Sequence, residues 1–192
     1  MDYVDYLMMY KKVEPTEFPT EVNGFTFRKF NGSESDIKLW FDICCCGIIR
    51  DDETLESAYK TRLIEHIGYN PDTIYFVMEN GVEIATVTAL TEENGTGWLH
   101  MVTAKPEARG KGVAKYLVAI AEAAIYKNKM KKILLQTKEF RAIAIKAYLR
   151  AGYKPVLYTD EMEERWCKFL SEHGYSGIDA VDEDGNFIKK IN

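Results

Sequence analysis

The chain has 192 residues, of which 46% are hydrophobic and 29% charged, the make-up of an ordinary globular protein with enough length to bury a core. A formal net charge of −5 argues against a general nucleic-acid binder, because neutralising phosphates needs a basic stripe, and Lys127, Lys129, Lys131 and Lys132 read as a solvated helix end. No apolar run reaches the length of a membrane span and residues 1–10 lack a basic start, so a cytoplasmic protein without a membrane partner is expected. Cys44, Cys45, Cys46 and Cys167 form no CxxC pair. Three consecutive helical residues point about 100° apart and do not close on one metal, so no metal is expected.

Residues 1–23 have no sustained periodicity and are interrupted by Pro15 and Pro19, so they read as an arm lying on the domain. Residues 24–30 look like a short strand with Phe25 and Phe27 on one face. Ser33, with a carboxylate three residues on at Asp36, starts a helix carrying Ile37, Trp40, Cys44 and Ile48 on one stripe. A polar break at 49–52 leads into a second helix with Leu55, Tyr59, Arg62 and Leu63 at helical spacing. That helix ends near Gly68, and Pro71 bars continuation. Strands follow at 73–79, 82–90 and 98–104. Asn80-Gly81 joins the first two as a type I′ hairpin and the polar loop 91–97 joins the last two, which makes an antiparallel meander.

After residue 104 the pattern changes. Val113, Leu117, Ile120, Ala121 and Ala124 mark an amphipathic helix, residues 133–137 a buried strand, and Ala142, Ile145 and Leu149 a helix closed by Gly152. The stretch 98–137 is therefore a strand-helix-strand crossover whose strands should run parallel. A last helix carries Met162, Trp166 and Phe169 on one face, and 180–188 reads as a hairpin about Asp184-Gly185. With no repeat and no low-complexity linker, residues 1–192 read as one α/β (α+β) domain: a mixed central sheet with flanking helices.

The chemistry sits between the third meander strand and the helix after it, at Arg109-Gly110-Lys111-Gly112-Val113-Ala114-Lys115. Glycines at a helix start let backbone N–H groups approach an anion, and Arg109 and Lys111 add positive charge to the helix dipole. That is a phosphate seat, although the glycines alone fit a ligand-free turn equally well. A Walker loop is excluded because no Ser or Thr follows a Gly-Lys pair, and a dinucleotide fingerprint would need a third glycine.

The order of elements decides between these readings. A strand meander, a phosphate turn, a helix, a strand and a helix ending in Ala151-Gly152-Tyr153 resembles the GNAT superfamily of N-acetyltransferases. Its Arg/Gln-x-x-Gly-x-Gly/Ala loop is filled here by Arg109, Gly112 and Ala114. Its second signature, an Ala-Ile-x-x-Tyr helix closed by a Gly-aromatic pair, is matched by Ala144, Ile145, Tyr148, Gly152 and Tyr153. The likeness extends to Leu99-His100-Met101-Val102 before the loop, and residues 98–155 form the expected acetyl-CoA-binding core.

The resemblance implies direct transfer of an acetyl group from the acetyl-CoA cosubstrate to a primary amine, without a covalent enzyme intermediate. It places an oxyanion-binding backbone amide within 101–103 and the pantetheine arm along Val102, Thr103 and Ala104, where a bulge usually splays the strand. Tyr148 stands where the family places the acid for the departing thiolate, against the plainer reading of a half-buried tyrosine. For the base, relatives with a glutamate on the strand after the loop helix have Gln136 here. His100 is the candidate that remains, against a structural role. Arg141 replaces the family's pantetheine-contacting asparagine and reads as a phosphate or substrate contact, or as a solvated helix start. The acceptor, a small molecule or peptide amine, would be selected around Trp40, 48–53 and Tyr69. Alternatives are an acyl-CoA-binding module without efficient catalysis, a longer-chain acyltransferase and a nucleotide enzyme. The terminal hairpin and exposed aromatics leave a homodimer open.

Overall fold

The computed structural model describes residues 6–192, so residues 1–5 of the expected arm lie outside the described part. Its contacts divide the chain into two compact units. One is Glu14–Lys131, and the other joins the N-terminal stretch through Val13 to Lys132–Asn192.

In the larger unit four strands lie in the order β2 (Phe25–Lys29), β3 (Ile74–Glu79), β4 (Val82–Thr91) and β5 (Thr96–Ala104), each antiparallel to its neighbour. The expected meander is present within a residue or two of its expected ends. Helix α1 (Glu34–Cys44) starts at Ser33, whose hydroxyl accepts from the Asp36 N–H at 3.2 Å and satisfies an orphan donor of the first turn. The Asp36 carboxylate does not close a capping box. It accepts two hydrogen bonds of 2.8 Å from the Arg28 guanidinium on β2 and another from the Asn31 N–H. Arg28 also reaches Glu83 on β4 at 2.7 Å, so one buried-edge guanidinium fastens the first helix to two strands. Helix α3 (Val113–Lys127) buries Tyr116, Leu117, Ile120 and Ala124. A Cβ on Gly97 would stand 2.5 Å from Ile125, which is why that position of β5 carries no side chain.

The second helix differs from the sequence reading. Helix α2 (Leu55–Tyr59) is capped by Thr54, and Lys60–Ile64 then continues as a π-helical turn in which the Glu65 N–H bonds to the Lys60 carbonyl. The spacing of Leu55, Tyr59, Arg62 and Leu63 resembles regular helix because one wide turn shifts the stripe by a single residue.

In the smaller unit the expected arm is corrected. Residues Leu7–Lys12 are a strand, β1, paired antiparallel with both β6 (Lys132–Thr137) and β7 (Lys154–Pro155). Leu7, Met8 and Met9 are each at most 1% exposed, so the strand is covered on both faces. Such a strand reads as an apolar run without alternation, which hid it. Helix α4 (Ala142–Arg150) ends as expected at Gly152, whose φ of 88° supports the bonds Gly152 N–H to Leu149 and Tyr153 N–H to Tyr148. Helix α5 (Glu161–Glu172) follows, then the hairpin β8 (Ile178–Val181) and β9 (Phe187–Ile191).

Candidate active site

β5 carries a bulge. Thr86 faces Thr103 and Thr88 faces His100, so the single residue Val87 stands opposite both Met101 and Val102. Met101 takes φ 49°, a left-handed conformation costing a non-glycine residue about 1 kcal/mol. The extra residue interrupts the ladder and frees backbone groups at 101–102 from β4, at the position where the resemblance expects the acyl group. Met101 itself is buried in the core cluster with Trp40, Ile43 and Phe76. Val102 and Ala104 are partly exposed, whereas Thr103 is buried.

Downstream, Pro106–Ala108 makes one 3₁₀ turn and the chain reaches α3 through Arg109, Gly110, Lys111 and Gly112, all exposed. Gly110 and Gly112 have φ of 78° and 84°, and no side chain caps α3. Of the first N–H groups of the helix, that of Lys115 reaches the Gly112 carbonyl at 3.2 Å and those before it take no side-chain cap among the described residues, and a Cβ at Gly110 would meet nothing within 4 Å. Val113 is buried beneath, Ala114 half-buried and Lys115 exposed. These residues fit a bound diphosphate: the backbone is bare where the anion would approach and the dipole is favourable. Two of the expected cations are already engaged. Arg109 donates to the Cys46 carbonyl at 3.1 Å, using one of its five N–H groups, and Lys111 pairs with Glu79.

His100 Nε2 lies 2.6 Å from the Arg62 carbonyl, within the π turn. A carbonyl only accepts, so Nε2 carries the proton and Nδ1 keeps its lone pair. The His66 ring packs 4.3 Å from it, centroid to centroid. Burial, and then the neighbouring His66, push the His100 pKa down to about 4. His66 is lowered as well, by burial and by Arg62. Thr88, directly across from His100, has a buried hydroxyl with no hydrogen-bond partner among the described residues. Reasoning from sequence missed His66 and Arg62. The helical spacing of 55–63 concealed the wide turn that presents the Arg62 carbonyl.

Of the residues expected to select an acceptor, Trp40 is fully buried against Tyr59 and belongs to the core. Glu53 is held by Arg62 through two hydrogen bonds of 2.8 and 3.1 Å, which keep its carboxyl below the usual range. It is therefore no free counter-charge for an amine. Tyr69 bonds the Tyr59 hydroxyl at 3.0 Å.

In the smaller unit, Tyr148 on α4 is 7% exposed, with its ring edge-on to Tyr153 at 5.9 Å. Burial raises its pKa to about 12, with Arg141 pulling weakly the other way. Arg141 is the residue before α4, and its guanidinium lies 5.4 Å over the Phe140 ring. Among the described residues no group of three His, Cys, Asp or Glu is placed to hold a metal, and no helix is long and apolar enough to cross a membrane.

A mixed α/β domain with a bulged strand leading into a glycine turn at a helix start is the arrangement of a GNAT-type acetyltransferase fold. The chain belongs to the Acetyltransferase (GNAT) family, whose family model matches residues 39–153. No curated protein matches it. Among solved structures it is similar to a GCN5-related N-acetyltransferase from Sphaerobacter thermophilus, at 21% identity and TM-score 0.62, over 78% of this chain and 48% of that one. A second, from Kribbella flavida, matches at 16% identity and TM-score 0.54 over 78% and 54%. A third, Rv2747 from Mycobacterium tuberculosis in complex with CoA and NLQ, matches at 14% and TM-score 0.52 over 74% and 81%. The chain thus spans about half the length of the first two, and at these identities the likeness is one of fold.

Proposed function

We propose that this chain is an acetyl-CoA-dependent N-acetyltransferase that moves the acetyl group directly from the thioester to a primary amine. The observation that carries the reading is the bulge at Met101–Val102 placed just before the open glycine turn of α3. Coenzyme A, when bound, supplies the activated acetyl thioester.

The chain's own residues have separable tasks. The N–H groups at the start of α3, with Arg109, Lys111 and Lys115, hold the diphosphate by dipole and charge. Val102, Thr103 and Ala104 offer a strand edge to the pantetheine arm, and a backbone amide at 101–103 stabilises the oxyanion. His100, fixed as the Nε2–H form by the Arg62 carbonyl, presents a neutral Nδ1 to the acceptor's proton. With a pKa near 4 it accepts a hydrogen bond readily but retains a proton poorly, so the amine's proton must pass onward. Tyr148 carries its hydroxyl proton at working pH and is the proton donor proposed for the departing thiolate.

The burial of Tyr148 and the weak basicity of His100 favour a second reading, an acyl-CoA binder without efficient catalysis. A screen of small-molecule and peptide amines with acetyl-CoA, following thiol release, separates the two. Turnover that falls with Tyr148→Phe at unchanged coenzyme affinity supports the enzyme. Coenzyme binding without turnover on any amine supports the binder.

A further inference from the structure

Two Asn-Gly turns in the larger unit have matching backbones. Asn80 and Gly81 take φ of 51° and 79°, and Asn23 and Gly24 take 53° and 79°. The second is closed by Val22 and Phe25, which exchange hydrogen bonds of 3.3 and 3.0 Å. Phe25 is paired with Glu79, the residue just before the Asn80-Gly81 turn, so both turns lie at one end of the β2–β3 pair. Lys111 of the glycine turn reaches that end by its ion pair with Glu79.

Asn23 is nearer still to the glycine turn. Its Nδ2 stands 3.5 Å from where a Cβ on Gly112 would be, and nothing else lies within 4 Å of that point. The amide makes no hydrogen bond to any described residue, whereas the segment carrying it is well anchored. Tyr116 on α3 donates to the Pro19 carbonyl at 3.5 Å and packs against Phe25 and Phe27. The turn therefore places an N–H₂ donor, unpaired among the described residues, beside Gly112, the residue that opens α3.

We infer that Asn23 contacts the coenzyme diphosphate, so that the cradle in this chain has a wall outside the 109–115 loop. The inference rests on the coenzyme reading of that loop. An amide is suited to the task. It donates to phosphate oxygens at no cost in charge, and it tolerates the positive φ that the turn requires.

Calorimetric titration with coenzyme A itself tests the inference, using wild type, Asn23→Gly and Asn23→Asp. Glycine keeps the turn and removes the donor, while aspartate keeps shape and turn but puts a carboxylate against the phosphates. The expected order is wild type, then Asn23→Gly about fivefold weaker, then Asn23→Asp weaker by about tenfold or more, with unliganded melting temperatures unchanged. Wild-type affinity in both variants overturns the inference. Equal weakening in both with lowered melting temperatures also overturns it, since that is the mark of a turn residue alone. Absence of binding by wild type removes the coenzyme reading and the inference with it, and is read without reference to either variant.

Discussion

Lys111 and Glu79 form a two-pronged ion pair, with Nζ 3.0 and 2.7 Å from the two carboxylate oxygens. In the free protein, Lys111, just before α3, is already paired with a carboxylate from the end of β3. A diphosphate must share Lys111 with that carboxylate or displace it. Glu79→Gln is therefore expected to tighten coenzyme A binding by roughly threefold at low salt, the scale of an exposed ion pair. The gain should shrink as salt rises, which titration calorimetry at two ionic strengths will show.

His100 makes stability depend on pH. Its pKa is about 4 in the folded chain and near 6.5 when unfolded, so the unfolded chain takes up the proton first. The stabilisation is fully present above about pH 6.5 and is lost as pH falls through 4, up to about 3 kcal/mol in all. Melting temperatures measured from pH 7.5 to 4 should fall for wild type and fall less for His100→Gln.

Tyr148→Phe removes a hydroxyl held above its ordinary pKa by burial. The ring and its packing on Tyr153 survive, so the fold and the coenzyme affinity should remain. With whichever amine turns over, kcat is expected to drop by about a hundredfold, the scale of a positioned proton donor. Steady-state thiol release measures it.

Gly68 has φ 78°, and a Cβ there would lie 2.5 Å from the Thr91 carbonyl oxygen, a backbone atom that cannot swing away. Gly68→Ala should cost about 2–4 kcal/mol of unfolding free energy, from strain and overpacking together. Gly24→Ala, with a similar φ but no neighbour within 4 Å, should cost about 1 kcal/mol. Denaturant unfolding compares the two.

Much of the fold was legible because local chemistry and tertiary packing agree. Asn80-Gly81, Ser33, Gly152 and the stripe of α3 each dictate a conformation within a few residues, and the structure keeps all four. The strand β1 was not legible, since burial on both faces erases the alternation that marks a strand and leaves Leu7, Met8 and Met9 as a bare apolar run. The bulge was hidden for a related reason. Nothing in the side chain of methionine announces φ 49° at residue 101, and only the pairing of β4 with β5 counts the extra residue. At the site, the glycines and cations of 109–115 could be read from sequence because anion binding needs those residue types. The ties of Arg109 to Cys46 and of Lys111 to Glu79 join residues 63 and 32 positions apart, and no local pattern encodes them. The depressed basicity of His100 likewise depends on His66 and Arg62, brought to it by a π turn.

Whether the glycine turn at the start of α3 holds coenzyme A is decided by calorimetric titration of the purified chain with acetyl-CoA. Gly112→Glu, which places a carboxylate at an open helix start with φ 84°, serves as the comparison. Saturable binding by wild type and at least about a hundredfold loss in the variant are expected. Absence of binding by well-folded wild type, or equal binding by the variant, would contradict coenzyme binding at this turn.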